Sequence, residues 1–335
     1  MTKTDTRDAV ATINQIKRLE QIGCDIVRVA VPDIEAAEAL RVIRAHVAVP
    51  LVADIHFNYR LALRAIEYGV DGLRINPGNI GSRVNVEKVV KAAAERRIPI
   101  RIGVNSGSIE KEFQRIIKGE GDELAETTAR AMLQSALKHI RILEKMKFHN
   151  IKVSLKATDV QTTLLAYELL ARECDYPFHI GITEAGTALT GAVKSAVGVT
   201  LLLSRGYGDT LRVSLSAPPE REVLVALTIL RSLGLRERGA EVVSCPTCGR
   251  CTIDVEGIAS EVEHRLLGLK KPFTVAVMGC EVNGPGEAAR ADYGIAGGKG
   301  KGVIFRHGKI VRKNVDESGI ITELIEQIEE LKEQE

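Results

Sequence analysis

The stretch Ile151-Lys152-Val153-Ser154-Leu155-Lys156 alternates apolar and polar residues with a period of two. This alternation is typical of a β-strand that has one apolar and one polar face. In a doubly wound parallel sheet, helices cover both faces and the strands are apolar throughout. The polar face of this strand therefore favours a sheet that closes into a barrel, with its polar side chains pointing inward or toward the mouth.

Seven strand-like runs of this kind alternate with helical stretches over residues 1–234. This repeated alternation predicts a parallel sheet covered by helices, either a barrel or a doubly wound sheet. The predicted strands are 25–31, 50–57, 72–76, 99–105, 151–156, 177–183 and 210–216, and the predicted helices include 9–21, 34–45, 86–96, 123–147 and 218–234. No G-x-G-x-x-G turn opens a helix, which removes the usual dinucleotide fingerprint and again favours the barrel.

The polar positions of these strands are biased toward positive charge. They are Arg28; Asp54 and His56; Arg74 and Asn76; Arg101 and Asn105; Lys152, Ser154 and Lys156; His179 and Thr183; and Arg212, Ser214 and Ser216. The six cations in this set face only Asp54, with Glu184 nearby. Because desolvation and mutual repulsion both disfavour clustered cations, we expect a phosphate or diphosphate as their counter-ion. The alternative is that each cation pairs locally or extends to the rim.

A barrel of this type has eight strands, whereas the sequence contains seven strand-like runs. Residues 1–6 resemble the loop that follows a first strand, and residues 8–21 resemble its helix. We therefore expect a TIM-type barrel whose first strand is missing, through a misassigned start, loss of a terminal segment or a rearranged fold. Such a barrel would leave two unpaired strand edges.

Thiols are concentrated in a short C-terminal stretch, where Cys245-Pro246-Thr247-Cys248-Gly249-Arg250-Cys251 is followed by Cys280. A C-x2-C pair lets two thiolates from one turn reach one metal, and a thiol from another loop can complete the site. The alternative, a structural disulfide, requires an oxidising compartment. We find no signal peptide and expect a cytoplasmic chain with reduced thiols.

The ligand count distinguishes the metals. Zinc requires four tight ligands, and no second C-x2-C or H-x3-H supplies the missing half. A ferredoxin run begins correctly at Cys245, but Val255 stands where its fourth cysteine belongs. The set is better suited to iron and sulfide and predicts a 4Fe-4S cluster with an unusual fourth ligand.

Residues 235–335 are expected to form a second, small α+β domain, after a barrel domain at 1–234. The pattern predicts a strand at 241–244, a helix at 254–267, a strand at 273–278, a hairpin around 302–312 and a final helix at 316–332. The glycine-rich segment 294–302 lacks the spacing of a phosphate-binding loop, so we expect a flexible connection or a hairpin turn there.

Composition excludes several partner classes. The net charge is +2, tryptophan is absent and aromatic residues make up 4% of the chain, which argues against a nucleic-acid partner. No apolar run approaches the ~20 residues of a membrane-spanning helix, so we expect no membrane partner.

The chain closely resembles the 4-hydroxy-3-methylbut-2-enyl diphosphate synthase family, also called IspG or GcpE. The resemblance rests on DIVRVAVP at 25–32, ADIHF at 53–57, RINPGNIG at 74–81, RIGVNSGS at 101–108, HIGITEAG at 179–186, CPTCGR at 245–250 and NGPGEA at 283–288. These motifs occur in order along essentially the whole chain. Only the N-terminus departs from the family, which has an additional segment containing the first barrel strand.

The resemblance implies a 4Fe-4S cluster held by Cys245, Cys248, Cys280 and Glu287, with Cys251 excluded. It implies that the cluster domain is similar to a sulfite-reductase repeat. The implied reaction is reductive ring opening, with loss of water, of 2-C-methyl-D-erythritol 2,4-cyclodiphosphate. Because the chain has no flavin or nicotinamide motif, an electron donor, flavodoxin or ferredoxin, is also implied. A homodimer is the implied assembly.

In the implied reaction, the inward polar residues are expected to bind the diphosphate or to position or protonate the departing oxygen. For Asp54, His56, Asn105 and Glu184, the alternative is a purely structural hydrogen bond. The expected substrate-binding residues are Arg28, Arg74, Asn76, Arg101, Asn105, Lys152, Ser154, Lys156, Arg212 and Ser214. The expected catalytic residues are Glu287, Glu184, Asp54 and His56. Two other hypotheses remain: a barrel transferase with a structural cluster, and a non-enzymatic iron-sulfur sensor. The sensor leaves the inward cations unexplained.

Overall fold

The computed structural model describes residues 1–237, 239–269, 271–280, 286, 290–298 and 300–329. The chain divides into two compact units, Met1–Leu233 and Gly234–Glu335. The described residues of each unit include a hydrophobic core of its own.

The first unit, in which every residue is described, contains seven parallel strands in a five-stranded and a two-stranded sheet. They are β1 (Val27–Ala30), β2 (Leu51–Asp54), β3 (Gly72–Arg74), β4 (Ile100–Asn105), β5 (Ile151–Lys156), β6 (His179–Ile180) and β7 (Thr210–Leu211). Strands β1 to β5 pair in sequence order, a bridge from Val153 to Phe178 connects β5 with the segment before β6, and β6 pairs with β7. This sequential parallel order confirms the predicted α/β barrel.

Helices alternate with these strands and cover the outside of the sheet. They are α1 (Ala9–Ile22), α2 (Ile34–His46), α3 (Tyr59–Glu67), α4 (Arg83–Glu95), α5 (Lys111–Gln114), α6 (Gly121–Lys145), α7 (Val160–Ala171), α8 (Ala188–Leu203) and α9 (Pro219–Ser232). Helix α2 shows why such a segment is helical. The Asp33 carboxylate caps its N-terminus by accepting the Ala36 N–H at 2.9 Å, and Leu40 and Ile43 on its apolar face are fully buried. No helix in the described part of the chain is long and apolar enough to cross a membrane.

The space between β7 and β1 is occupied by residues 1–3. The Thr2 N–H donates to the Arg28 carbonyl at 3.0 Å, beside β1. The Lys3 ammonium donates to the Leu215 carbonyl at 2.9 Å and also to the Ala217 carbonyl, beyond β7. These contacts connect the two edge strands, and α1 packs between α9 and α2.

Strand β6 is much shorter than the predicted strand 177–183, because the chain bends at Gly181. This glycine has φ 145°, a conformation that favours glycine, and a Cβ placed on it would lie 2.2 Å from the Arg212 carbonyl oxygen. The backbones after β6 and β7 therefore approach too closely for a regular strand with side chains to continue.

The second unit is a mixed sheet with helices. Its elements are β8 (Ala240–Ser244), α10 (Val255–Arg265), β9 (Phe273–Met278), β10 (Tyr293–Gly298), β11 (Lys301–Arg306), β12 (Lys309–Asp316) and α11 (Glu317–Glu329). The strand order is β12-β11-β10-β9-β8, in which β8, β9 and β10 run parallel and β11 and β12 are antiparallel additions. Val262 of α10 and Leu324 of α11 are fully buried in the core of this unit.

Strand β10 occupies much of the glycine-rich segment that was expected to be a connection or a turn. Gly294 pairs with Phe305 across the sheet, and a Cβ on Gly294 would lie 2.1 Å from Cζ of that ring. The glycine therefore makes room for an aromatic side chain of the neighbouring strand. This role of Gly294 cannot be predicted from the local sequence pattern, because its partner Phe305 lies on another strand.

Candidate functional site

Asp54, at the end of β2, is the centre of a charged cluster inside the barrel. Its buried carboxylate lies 3.5 Å from Arg28 Nε of β1 and 3.3 Å from Arg74 Nη1 of β3. Arg74 Nη1 also lies 3.1 Å from the His56 ring. Burial, followed by the charge of Arg74, lowers the pKa of His56, so that ring is neutral at neutral pH. One acid thus orients two inward arginines from the strands on either side.

Glu222 is a second internal acid, which the sequence analysis missed. It lies in the first turn of α9 and is 4% exposed. Its carboxylate lies 3.3 Å from Arg212 Nη2 and 3.4 Å from Lys3 Nζ, and accepts the Leu215 N–H at 3.1 Å. An acid on a helix resembles any solvent-facing charge in sequence. The only available signal was its place in the turn that follows a cation-bearing strand.

Arg101 and Lys156 form no ion pair with any acid in the described residues. Arg101 Nε is buried without a hydrogen-bond partner there, as are Arg28 Nε and Arg74 Nε. Lys156, at the end of β5, is 7% exposed. Burial, and then the neighbouring cations, lowers the pKa of both Arg101 and Lys156 well below the ordinary values. Because buried polar groups are normally paired, this cluster favours an anionic ligand.

Two glycines make room for these cations inside the barrel. A Cβ on Gly103 of β4 would lie 3.1 Å from Arg74 Nε and 3.2 Å from Ser154 Oγ. A Cβ on Gly181 would lie 2.9 Å from Lys156 Nζ. Side chains at these inward positions would fill the space that the cations occupy. The glycines therefore shape the cationic cavity as much as the charged residues do.

The neutral residues expected to bind substrate differ in their surroundings. The Asn76 amide exchanges two hydrogen bonds with the Gly103 backbone, at 2.9 and 3.0 Å, and so connects β3 to β4. The Ser154 hydroxyl is buried and lies 3.5 Å from the Ile102 carbonyl oxygen. Asn105 and Ser214 are half-buried, Asn105 at the end of β4 and Ser214 just beyond β7.

Lys152 lies near the amino-terminal end of β5, in register with Arg101 of β4. It is the second residue of the strand that Lys156 ends, so the two lysines are about 13 Å apart along the backbone. Burial and then Arg101 lower the pKa of Lys152, and Asp209, just before β7, opposes them. Lys152 therefore lies toward the amino ends of the strands, away from the mouth where TIM-barrel enzymes bind substrate. Arg101 lies at the same level of the sheet but has different electrostatic neighbours, since the charges of Arg28, Arg74 and Asp54 act on Arg101, whereas that of Asp209 acts on Lys152.

Glu184 follows β6 and is exposed, without a hydrogen bond or ion pair to any residue in the described ranges. Its φ of 49° places a non-glycine residue in the left-handed region. Such conformations cluster at functional sites, because the surrounding structure must maintain them. Glu184 is therefore available at the mouth but does not belong to the charged cluster.

The cysteines of the second unit lie around the ends of β8 and β9. Cys245 follows β8, and its Sγ accepts the Gly279 N–H at 3.2 Å, while Cys280 comes directly after that glycine. A Cβ on Gly279 would lie 2.4 Å from Cys251 Sγ and 3.4 Å from Cys245 Sγ. None of the six cysteines, all of which lie in the described ranges, is joined in a disulfide.

This donor set is compatible with an iron-sulfur cluster. Thiolates are the usual ligands of such clusters, and a backbone N–H directed at a sulfur is one of the contacts that tune them. Within the described ranges, no three His, Cys, Asp or Glu side chains are gathered as a preformed metal site. Glu287, the expected fourth ligand and catalytic residue, lies outside the described residues.

Comparison with known proteins finds a domain of the same family in each of the two units. Residues 1–227 match the GcpE TIM-barrel domain, and residues 241–330 match the GcpE protein C-terminal domain. A relative from Geobacter sulfurreducens is 57% identical over 99% of this chain and 92% of its own length. One from Geobacillus thermodenitrificans is 57% identical over 100% of this chain and 87% of its own. Both are named 4-hydroxy-3-methylbut-2-en-1-yl diphosphate synthase (flavodoxin).

Solved structures are more distant. The Yersinia pestis dihydropteroate synthase aligns over 68% of this chain and 90% of its own at 12% identity, with a TM-score of 0.47, which carries no argument about function. The two domain matches and the identity to the relatives decide the assignment. The chain belongs to the GcpE family of 4-hydroxy-3-methylbut-2-en-1-yl diphosphate synthases.

Proposed function

We propose that this chain catalyses the reductive ring opening and dehydration of 2-C-methyl-D-erythritol 2,4-cyclodiphosphate to (E)-4-hydroxy-3-methylbut-2-enyl diphosphate, in the non-mevalonate isoprenoid pathway. The two relatives described above are named for this activity. The structural observation that carries the proposal is the cationic barrel interior, in which Arg101 and Lys156 have no acidic partner among the described residues. A diphosphate supplies the charge that this interior lacks.

The proposed substrate site uses five of the six inward cations. Arg28 and Arg74 are oriented by Asp54, and Arg212 is oriented by Glu222. Burial of the Arg101 and Lys156 charges without an acidic partner is unfavourable, and contacts with phosphate oxygens offset this cost. Asn76, Asn105, Ser154 and Ser214 complete the proposed contacts. We leave Lys152 out because the acid whose charge acts on it is Asp209, just before β7, and not Asp54.

The proposed acid-base groups lie close to these cations. Asp54 and the neutral His56 ring share Arg74, so they can place a hydrogen-bonding group beside the bound anion. Glu184 is exposed after β6 and can donate a proton to a departing oxygen when it is protonated. Because Glu184 is held in a left-handed conformation, its backbone geometry is specified by the loop rather than by the strand.

The proposed cofactor is a 4Fe-4S cluster held by Cys245, Cys248, Cys280 and Glu287. When bound, such a cluster supplies electrons one at a time and an iron that acts as a Lewis acid. The Gly279 N–H supports the Cys245 sulfur, and the Cys251 N–H donates to the Cys248 carbonyl at 2.8 Å, which closes the turn between those thiols. Flavodoxin or ferredoxin is the proposed electron donor, and the names of the relatives include flavodoxin.

The most direct test is made on anaerobically purified protein. Iron and sulfide are quantified, and visible and EPR spectra are recorded before and after addition of the cyclic diphosphate, followed by turnover with dithionite. We expect about four irons per chain, a spectrum that the substrate changes, and formation of the linear diphosphate. Zinc in place of iron, or a full cluster without turnover, would contradict the proposal.

We also propose a homodimer, supported by an exposed apolar stripe on α8. Leu189, Val193 and Val197 recur every four residues on this helix and are 76%, 58% and 50% exposed. Isolated exposed apolar residues are ordinary, but a continuous stripe along one helix is typical of an interface. Sedimentation should give a mass of two chains, and Val193→Lys should shift it to one. A single-chain mass for the unmodified protein would exclude the dimer.

A further inference from the structure

His139 is a fully buried histidine that the proposed chemistry does not use. It lies on α6, is 0% exposed, and stands between two loops that follow neighbouring strands. Its Nδ1 accepts the Gly78 N–H at 3.1 Å, in the loop after β3. Its Nε2 lies 2.8 Å from Glu110 Oε1, in the loop after β4, at an angle too oblique for a straight hydrogen bond.

These contacts fix the protonation of the ring. Because Nδ1 accepts a backbone N–H, it cannot hold a hydrogen, so the neutral ring has its hydrogen on Nε2, facing Glu110. Burial lowers the pKa of His139, although the Glu110 charge opposes this effect. The second Glu110 oxygen accepts the Ser135 hydroxyl, also from α6. Helix α6 therefore contacts the loop after β3 through the His139 ring, and the loop after β4 through the same ring and the Ser135 hydroxyl.

The loop after β3 is shaped to receive this ring. A Cβ on Gly78 would lie 2.8 Å from His139 Cε1, so only glycine lets the backbone pack against the imidazole. Two residues earlier, Asn76 forms its paired hydrogen bonds with Gly103 of β4. The loop after β4 likewise follows directly on Asn105, the last residue of the strand, and reaches Glu110 five residues later. Both loops lie at the carboxyl ends of their strands, next to Arg74.

We infer that His139 is a positioning residue of the anion site, which sets the spacing between the loops after β3 and β4 and, through them, the placement of Arg74, Asn76 and Asn105. This inference rests on the proposed function in one respect only, that the barrel mouth binds a diphosphate. It assigns the outer helix α6 a part in ligand affinity, although His139 itself touches no ligand.

The test uses three single-residue variants, two at His139 and one at a control position. His139→Phe preserves the ring and removes both polar contacts, His139→Asn keeps an acceptor at the position of Nδ1, and His149→Phe is the control. His149 is exposed and contacts Tyr176 at 3.1 Å, away from the mouth. The dissociation constant for inorganic diphosphate is measured by calorimetry. KM and kcat are measured for the cyclic diphosphate, and amide exchange is measured at Gly78.

For His139→Phe we expect the dissociation constant and KM to rise about tenfold, with a smaller change in kcat and faster exchange at Gly78, because displaced anion ligands weaken binding. His139→Asn should recover most of the affinity, and His149→Phe should match the unmodified protein. Affinity that is unchanged in His139→Phe while only its thermal stability falls would overturn the inference, as would an unmodified protein that binds no diphosphate. Diphosphate binding that depends on His139 in a protein without turnover would support the inference and contradict only the proposed reaction.

Discussion

Cys248→Ser is expected to remove iron and sulfide from the protein and to reduce turnover of the cyclic diphosphate by at least about three orders of magnitude. Cys248 lies three residues after Cys245 and, in the proposed set, supplies one of three thiolates. Serine is nearly isosteric, but its hydroxyl is a poor ligand for iron in a sulfide cluster. No side chain of the chain can replace the electrons that the cluster supplies.

The matched control is Cys251→Ser, three residues further along the chain. Cys251 Sγ already donates to the Ile253 carbonyl at 3.1 Å, and the family resemblance excludes it as a ligand. We expect this variant to retain its iron, its spectrum and most of its activity. Inorganic diphosphate should bind both variants equally, because the barrel unit has its own core. Iron retained in Cys248→Ser, or lost equally from both variants, would refute the proposed ligand set.

Local pattern predicted those elements whose residues determine their own geometry. Strands β5 and β9 were predicted with the bounds that the structure has, since alternation or a continuous apolar run specifies each of them. The predicted strand bounds were wrong where a contact with a residue outside the segment determines where the strand lies. Strand β6 stops at Ile180 because Gly181 approaches Arg212, and β10 extends through a glycine-rich segment because Phe305 needs the space above Gly294. Neither contact is visible in a single segment.

The candidate site was predictable in kind but not in arrangement. Alternation identified the inward cations, and their number implied an anion. It could not identify Glu222 or His139, because a buried polar residue on a helix has the same sequence signature as an exposed one. It also could not separate Lys152 from Lys156, since a period of two specifies a face of the strand and says nothing about which end of the barrel a residue reaches.

Lys156→Met is expected to raise the free energy of unfolding by about 1–3 kcal/mol while raising the dissociation constant for diphosphate about 100-fold. The Lys156 ammonium is buried beside Arg101 and Arg212, and no acid in the described residues pairs with it. Methionine has similar volume and no charge to desolvate, so the ligand-free fold gains stability. The ligand then loses a charge-assisted contact.

The gain in stability should depend on pH in a definite direction. Because burial lowers the pKa of Lys156 in the folded state well below 10.5, the unfolded chain binds more protons between these two values. Lysine therefore destabilises the fold increasingly as pH falls toward its folded pKa. The advantage of Lys156→Met should be largest at low pH and should disappear as pH approaches 10.5. Denaturant unfolding at several pH values measures it.

Two controls separate charge from position. Arg74→Met should also weaken diphosphate binding, but it should destabilise the fold, because it deprives Asp54 of a partner 3.3 Å away. Lys152→Met changes the same side chain on the same inward face of β5, at the opposite end of the strand, and should leave diphosphate affinity unchanged. If Lys152→Met weakened binding as much as Lys156→Met, the anion would lie deeper in the barrel than proposed. If Lys156→Met destabilised the protein, an acid would have to pair with Lys156, and the argument from unpaired charge would fail.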